Sequence, residues 1–358
     1  KLSGVRIMAY TTIDDPSAFF QVALHSSANA ATIANDGNSD LKPDLIWSKA
    51  RGAAYNHALY DSTRGVTKFL VMNNDAAEVT SDSGYDLISF NTDGFSTGNN
   101  QHNIICGNTT YVAWQWKCNG GTTSTNTAGD VNSTVQVNTD AGLSIVSWSA
   151  TNTTARNIGH GLGVEPDVII IRNRNRLETT RVYFKVMGHG ATAINENYSY
   201  NTTSTALITG ATSTTFGVGT DFSVNGNYTY MAYCFKAIQG FSKFSKYVGN
   251  GNTTTGPFIY TGFKPRFVMI KSTTNSGSHV MWDSKRSPIN VMDDYLVAAE
   301  ADAEGTNGIY NIDFVSNGFK IKNAGTNNGL NQANTKYVYY AFAENPFTTS
   351  TGIPATAR

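Results

Sequence analysis

Twice in this chain a histidine stands four residues before an aspartate, His57 before Asp61 and His279 before Asp283, and each aspartate is followed three residues later by an arginine, Arg64 and Arg286. A His–Asp couple can move protons. A carboxylate and a guanidinium three residues apart can grip a polar ligand or, without one, lock a turn through a charge-assisted bidentate contact. Because the constellation recurs within one chain, the structural reading is favoured: the histidines alternate with core residues, and the Asp61/Arg64 and Asp283/Arg286 pairs fix turns. The other four histidines (His25, His102, His160, His189) belong to no zinc-site pattern of paired Cys-x-x-Cys and His-x-x-x-His spacings. Cys106, Cys118 and Cys234 show no Cys-x-x-Cys spacing and read as small buried hydrophobes.

Acidic clusters are sparse. Asp14-Asp15 and Asp293-Asp294 would point to opposite faces of a strand, which counts against a glycosidase-type acid pair, and the run from Glu300 to Glu304 reads as a solvated loop. That run lacks the Asp-x-Asp-x-Asp-Gly pattern of a calcium loop. Nucleophile-elbow, phosphate-loop, zinc-protease and dinucleotide fingerprints do not occur. No catalytic, cofactor-binding or metal-binding residue is assigned, and no cofactor is expected. Trp47, Trp114, Trp116, Trp148 and Trp282 fall inside strand-like segments, where core packing outweighs sugar stacking.

What positions the recurring residues is an internal repeat. "YVAWQWKCNGG" from Tyr111, "YMAYCFKAIQG" from Tyr230 and "YVYYAFAENPF" from Tyr337 are imperfect copies of one aromatic segment. Each is preceded by a proline and an apolar run ending in a cation: "LKPDLIWSKAR" around Pro43, "VEPDVIIIRNR" around Pro166 and "FKPRFVMIKST" around Pro265. From proline to tyrosine the separations are 68, 64 and 72 residues. Between these landmarks lie "TDGFSTG" at Phe95, "GTDFSVN" at Phe222 and "SNGFKIK" at Phe319, where Asp-Gly and Asn-Gly suit the left-handed positions of a hairpin turn. The Asp–Arg pairs belong to the first and third copies only; the second has "VYFKVMG" there.

Composition agrees with strands: Thr, Asn, Gly and Tyr are abundant, charged residues make up 15%, and 33 Gly stand against 8 Pro. With 26 basic and 26 acidic residues the formal charge is zero, which leaves no footprint for nucleic acid. No apolar run reaches eighteen residues, so no membrane insertion is expected, and the opening "KLSGVRIMAY" lacks a signal peptide's apolar stretch. The start at Lys1 without Met is consistent with processing or a fragment.

The expected architecture is all-β: three tandem antiparallel β-sandwiches of jelly-roll type, six to nine strands each, spanning 1–128, 129–240 and 241–347, with a tail at 348–358. Helix is expected only in short turns near "DSTRGVTKFL" and "SPINVMDDYL". In "YVYYAFAE" both alternating faces are apolar, which predicts a central strand buried on both sides. The Gly/Thr/Ser linker from Asn119 to Asp130, against almost none at Gln239-Gly240, predicts that the second and third repeats are held together more rigidly than the first and second.

The segments "DDPSAFFQVALHS", "LKPDLIWSKARG", "YDSTRGVTKFL", "SFNTDGFSTG" and "YVAWQWKCNGG", with "GPFIYTGFKPRFVMIK" and "YVYYAFAENPF", resemble a β-rich repeat in structural proteins of tailed bacteriophages, especially marine and cyanobacterial ones. "GHGLGVEPDVIIIRNRN" is similar to a His-Gly-Leu-Gly-Val-x-Pro segment of tail and fibre proteins. The resemblance spans most of residues 13–347 and brings no catalytic residue with it. It implies a non-enzymatic virion protein on the particle surface, a tail fibre or appendage. Its partners would be other virion proteins, further copies of itself (a trimer in the fibre case) and host-surface glycans. The alternatives are a capsid decoration or filament-forming protein, and more remotely a tail polysaccharide depolymerase.

Overall fold

Alternation of β-branched and aromatic residues with Gly, Asn and Ser turns produces 27 strands in the computed structural model, which describes residues 9–306, 308–322 and 329–354. The first repeat contains β1 (Phe20–His25), β2 (Ala31–Ile33), β3 (Leu45–Ala50), β4 (Ala58–Asp61), β5 (Lys68–Val71), β6 (Val79–Thr80), β7 (Leu87–Phe90), β8 (Phe95–Thr97) and β9 (Tyr111–Trp116). The second contains β10 (Ser124–Asn126), β11 (Ser133–Asn138), β12 (Leu143–Ser149), β13 (Arg156–Gly159), β14 (Val168–Asn173), β15 (Arg181–Phe184), β16 (Thr192–Ala193), β17 (Ile208–Ala211), β18 (Thr215–Val218) and β19 (Thr229–Phe235). The third contains β20 (Ser242–Val248), β21 (Phe258–Tyr260), β22 (Phe263–Ser272), β23 (Val280–Asp283), β24 (Leu296–Val297), β25 (Ile312–Val315), β26 (Gly318–Ile321) and β27 (Lys336–Pro346).

Each repeat pairs a large antiparallel sheet with a three-stranded one. The large sheets run β1-β9-β3-β4-β5-β6, β10-β11-β12-β19-β14-β15-β16 and β20-β27-β22-β23-β24; the small ones run β2-β8-β7, β13-β18-β17 and β21-β26-β25. The aromatic segment is the last strand of its repeat and is paired on both sides in all three large sheets. Because β10 pairs with β11, the first boundary precedes Ser124 rather than following residue 128, and the second repeat has ten strands, one more than expected.

A strand with two apolar faces must bury both, and the third aromatic strand does so. Tyr337, Tyr339, Ala341 and Ala343 enter the core between the third repeat's two sheets, while Val338, Tyr340 and Phe342 enter a second core. That second core is common to the three repeats: Val112, Trp114 and Trp116 from β9 and Met231, Tyr233 and Phe235 from β19 lie in it too. Trp116, Phe235 and Phe342 meet in a triangle, with ring centroids 6.4, 5.9 and 5.5 Å apart. A small apolar void of about 30 Å³ lies beside them. The opening tyrosines also match: Tyr111 stacks on His25, Tyr230 on Trp148 and Tyr337 on Tyr247, each a cross-strand partner.

Linker composition therefore does not rank the contacts between repeats. All three large sheets bury a face in the shared core, and the segment after β9 is tied down, with Cys118 and Gly120 donating backbone N–H groups to Asp44 and Asn119 and Gly121 to Gln136. No helix forms near residues 61–70 or 287–296; the helical turns are 3₁₀ segments at Pro16–Ala18 and Lys185–Met187. In the tail, residues up to 354 fold back, with Thr348 bridging Pro354 and Ser350 bonded to Asp14.

One landmark is out of register. Phe95 and Phe319 are fully buried in β8 and β26, paired with Phe90 and Phe314. Phe222, by contrast, is 45% exposed in a turn, and the matching place is filled by Phe216 of β18, paired with Ala211. The Gly before Phe95 has φ +79°, as a left-handed turn position requires. Gly318 lies in the strand itself and serves another need: a Cβ there would stand 2.1 Å from the carbonyl oxygen of Ile259.

Candidate functional site

The repeats contact one another in a closed head-to-tail cycle. The backbone N–H of Glu78 in the first repeat donates to the carbonyl of Arg174 in the second, that of Glu304 in the third to Arg51 in the first, and that of Tyr200 in the second to Thr273 in the third. Such heterologous contacts close a ring when the rotation permits. Here the ring closes within one chain, and the chemistry of its three seams differs.

Two seams are built from the predicted Asp–Arg pairs. At the seam between the first and second repeats, Asp61 accepts the Nε of Arg64 at 2.6 Å and the hydroxyl of Tyr233 at 2.7 Å. Arg64 Nη1 reaches Glu78 at 3.2 Å, and Glu78 is held bidentately by Arg174 at 2.8 and 2.9 Å. At the seam between the third and first repeats, Asp283 accepts Arg286 Nε at 2.6 Å and Trp114 Nε1 at 3.0 Å. Arg286 Nη1 reaches Glu304 at 2.9 Å, and Arg51 chelates Glu304 at 2.6 to 3.1 Å. Asp61, Asp283, Arg64 and Arg286 are almost wholly buried. Burial opposes the charge on Arg64, yet Asp61, Tyr233 and Glu78 raise its pKa; burial likewise opposes the charge on Glu78 and Glu304, but the surrounding guanidinium groups hold both below the usual carboxylate range.

The third seam replaces every member. In register with Asp283, Arg286, Glu304 and Arg51 stand Phe184, Met187, Tyr200 and Thr273. The Tyr200 hydroxyl bonds to Gly188 and Gly190 carbonyls and to the N–H of Phe184, and the Phe184 ring packs edge-on against Tyr340 at 4.9 Å. Tyr340 matches Trp114 and Tyr233, but its buried hydroxyl has no partner among the described residues. The neighbouring cations repeat this asymmetry. Lys49 donates to the carbonyl of Ala301 across one seam and Arg172 to those of Asn74 and Ala76 across another, whereas Lys271 donates to Gly277 in its own repeat.

The histidines do not pair with the following aspartates. His57 is buried with Nδ1 accepting from Trp47 Nε1 at 3.0 Å and Nε2 beside the Glu300 carbonyl; the ring nitrogens of His279, also buried, have no hydrogen-bond partner among the described residues. Burial pushes the pKa of both well down. Among the described residues the close His–carboxylate contact is that of His102 Nδ1 with Asp86 at 2.6 Å, sixteen residues apart, at a spacing sequence patterns do not flag. Glu304, expected in a solvated loop, is the pivot of a seam. Pro43 and Pro166 are buried just before β3 and β14, where the adjacent Asp44 and Asp167 carboxylates cap the chain leaving the aromatic strand at Cys118 and Ala237; Pro265 sits at a register shift within β22. No three His, Cys, Asp or Glu side chains among the described residues are grouped to hold a metal.

Beside the third seam a cleft of about 370 Å³ opens between Asn197 of the second repeat and the third repeat's sheets. Its walls include Tyr295, Tyr310, Tyr337, Ser272, Ser278 and Glu300. The 98–110 loop closes the first sandwich with buried Ile104, Ile105 and Cys106, while the loop before β27 contributes Leu330 alone among its described apolar residues.

Three β-sandwiches in a closed cycle around one core thus define the class. The chain belongs to the family described as Domain of unknown function (DUF7483), whose family model matches residues 15–346 and so runs through all three repeats. Comparison with curated proteins and with solved structures returns no match.

Proposed function

We propose that the chain is a non-enzymatic structural protein of a tailed-phage virion, a surface-displayed tail appendage that contacts host-surface glycans. The resemblance of its repeats to tail and fibre proteins motivates the assignment, and the observation that supports it is the closed cycle. Three sandwiches bury one face each in a common core and bolt two seams with buried ion networks, which is compatible with a body exposed on a particle. No helix among the described residues is long and apolar enough to cross a membrane. Antibodies raised against the chain and imaged on purified particles test the reading: labelled tails support it, and particles that carry none of the protein refute it.

A second reading, capsid decoration, is favoured by one feature. The chain completes by itself a cycle that separate copies would otherwise complete, so it needs no trimerisation to bury these faces. Light scattering distinguishes the two, a trimer supporting a fibre and a monomer that binds empty heads supporting decoration.

A further inference from the structure

We infer that the cleft between the second and third repeats is a binding site for a neutral pyranose unit of a saccharide. This deepens the glycan-contact part of the proposal above and rests on it. The cleft lies at the seam where the chain departs from its own repeat pattern. Where the other two seams place an Arg–Glu chelate, this one has the buried Thr273 and Tyr200, and the cleft opens next to them in the chain, where the Gly277 N–H donates to the Asn197 carbonyl and Ser272 lines the wall. About 370 Å³ is at the small end of ligand pockets, which run from roughly 300 to 1,000 Å³.

The walls specify the chemistry. Tyr295 and Tyr310 meet edge to face with centroids 4.9 Å apart and are half-buried, presenting ring surface against which the C–H face of a sugar packs. Asn197, Ser272, Ser278 and Glu300 line the same cleft and carry amide, hydroxyl and carboxylate groups, the mixture of donors and acceptors that vicinal hydroxyls require. None of the described lining residues is Lys or Arg, the buried Lys271 ammonium is taken up by the Gly277 carbonyl, and the Glu300 carboxylate would repel an anion. A phosphate or an acidic sugar is therefore disfavoured. Two other exposed aromatic groups are less suited, because the Arg176 guanidinium already covers Phe222 and Tyr228 at 4.9 and 5.5 Å and the Lys243 ammonium lies over Tyr260 at 5.1 Å. A ligand touching both Asn197 and Tyr310 would also bridge the two repeats at the seam that has no ion network.

The test is saturation-transfer NMR and calorimetry on the full chain with host polysaccharide, neutral methyl pyranosides, and glucuronate and sialate as anionic controls. Asn197→Ala, at an exposed position, and Tyr310→Ala are compared with Phe222→Ala. The expected result is binding of host polysaccharide and of at least one neutral pyranoside, weakened tenfold or more by Asn197→Ala and Tyr310→Ala and unchanged by Phe222→Ala. Saccharide binding that survives both cleft variants overturns the cleft as the site while leaving glycan contact standing. A preference for the anionic sugars overturns the ligand class, and a wild-type chain that binds no saccharide overturns both the site and the glycan contact. Asn197→Ser, which keeps a hydrogen-bonding group at the seam, decides the case if Tyr310→Ala does not fold: binding intermediate between wild type and Asn197→Ala supports a direct contact, and binding equal to Asn197→Ala overturns it.

Discussion

The same chemical change at two matching positions should alter stability in opposite directions. Tyr233 and Tyr340 occupy the same place in the second and third aromatic strands, both are buried and both face the shared core. Tyr233→Phe removes a hydroxyl that donates to the buried Asp61 carboxylate at 2.7 Å and accepts from Arg64 at 3.2 Å. Hydrogen bonds to charged groups contribute about 1.5–3 kcal/mol, and Asp61 would lose a donor it cannot replace with water. We expect a loss of about 2–3 kcal/mol. Tyr340→Phe removes a hydroxyl with no partner, whose burial costs about 1–3 kcal/mol, so that variant should gain about 1–2 kcal/mol. The two therefore differ by roughly 3–5 kcal/mol although each deletes one oxygen atom. Urea denaturation followed by both tryptophan fluorescence and circular dichroism measures this, and coincident curves would show that the repeats unfold as one unit. The slope with denaturant should be unchanged, because the surface exposed on unfolding barely alters. Shifts of the same sign, or values within about 1 kcal/mol of each other, would refute the account of the seams.

Arg286→Met should cost about 3–5 kcal/mol by leaving Asp283 uncompensated, and adding Asp283→Phe, the pairing already present at the third seam, should recover most of it; additive effects would count against a coupled network. All three cysteines should resist iodoacetamide in the native state and react after denaturation, since each is buried and burial raises every thiol pKa, that of Cys106 to about 12; labelling of the native protein would contradict this. Stability should fall as pH drops below about 6.5. His25, His57, His160 and His279 are kept neutral by burial, so the unfolded chain binds protons first; the stability they confer is complete above the ordinary histidine pKa and lost downwards, towards about 4 for His25. Each histidine still neutral in the fold steepens the loss by about 1.4 kcal/mol per pH unit, and a denaturation midpoint that stays flat from pH 7.5 to 5 would rule this out.

The sequence by itself determined the local and periodic features. Alternating apolar residues in "YVYYAFAE" placed a strand buried on two faces, the recurring Pro, Phe and Tyr landmarks marked out three sandwiches, and the i,i+3 spacing of Asp61/Arg64 and Asp283/Arg286 announced two locked turns. These are short-range signals, carried by side-chain period and turn chemistry. Phe222 was misplaced because its Thr-Asp-Phe imitated the Asp-Gly-Phe landmark, whereas strand pairing, a long-range property, selects Phe216. No local signal paired Glu304 with Arg51 or Glu78 with Arg174, although both arginines end recurring landmarks: Arg51 and Glu304 lie 253 residues apart and Glu78 and Arg174 lie 96 apart. Tertiary structure alone decided that the outer faces of the three large sheets meet in one core rather than three. It also decided that the second repeat's departure from the pattern, Phe184, Met187 and Tyr200, is matched by Thr273 in the third. The physical reason is that a buried charge must be neutralised by whatever the fold brings beside it, and that neighbour is set by the closing of the ring.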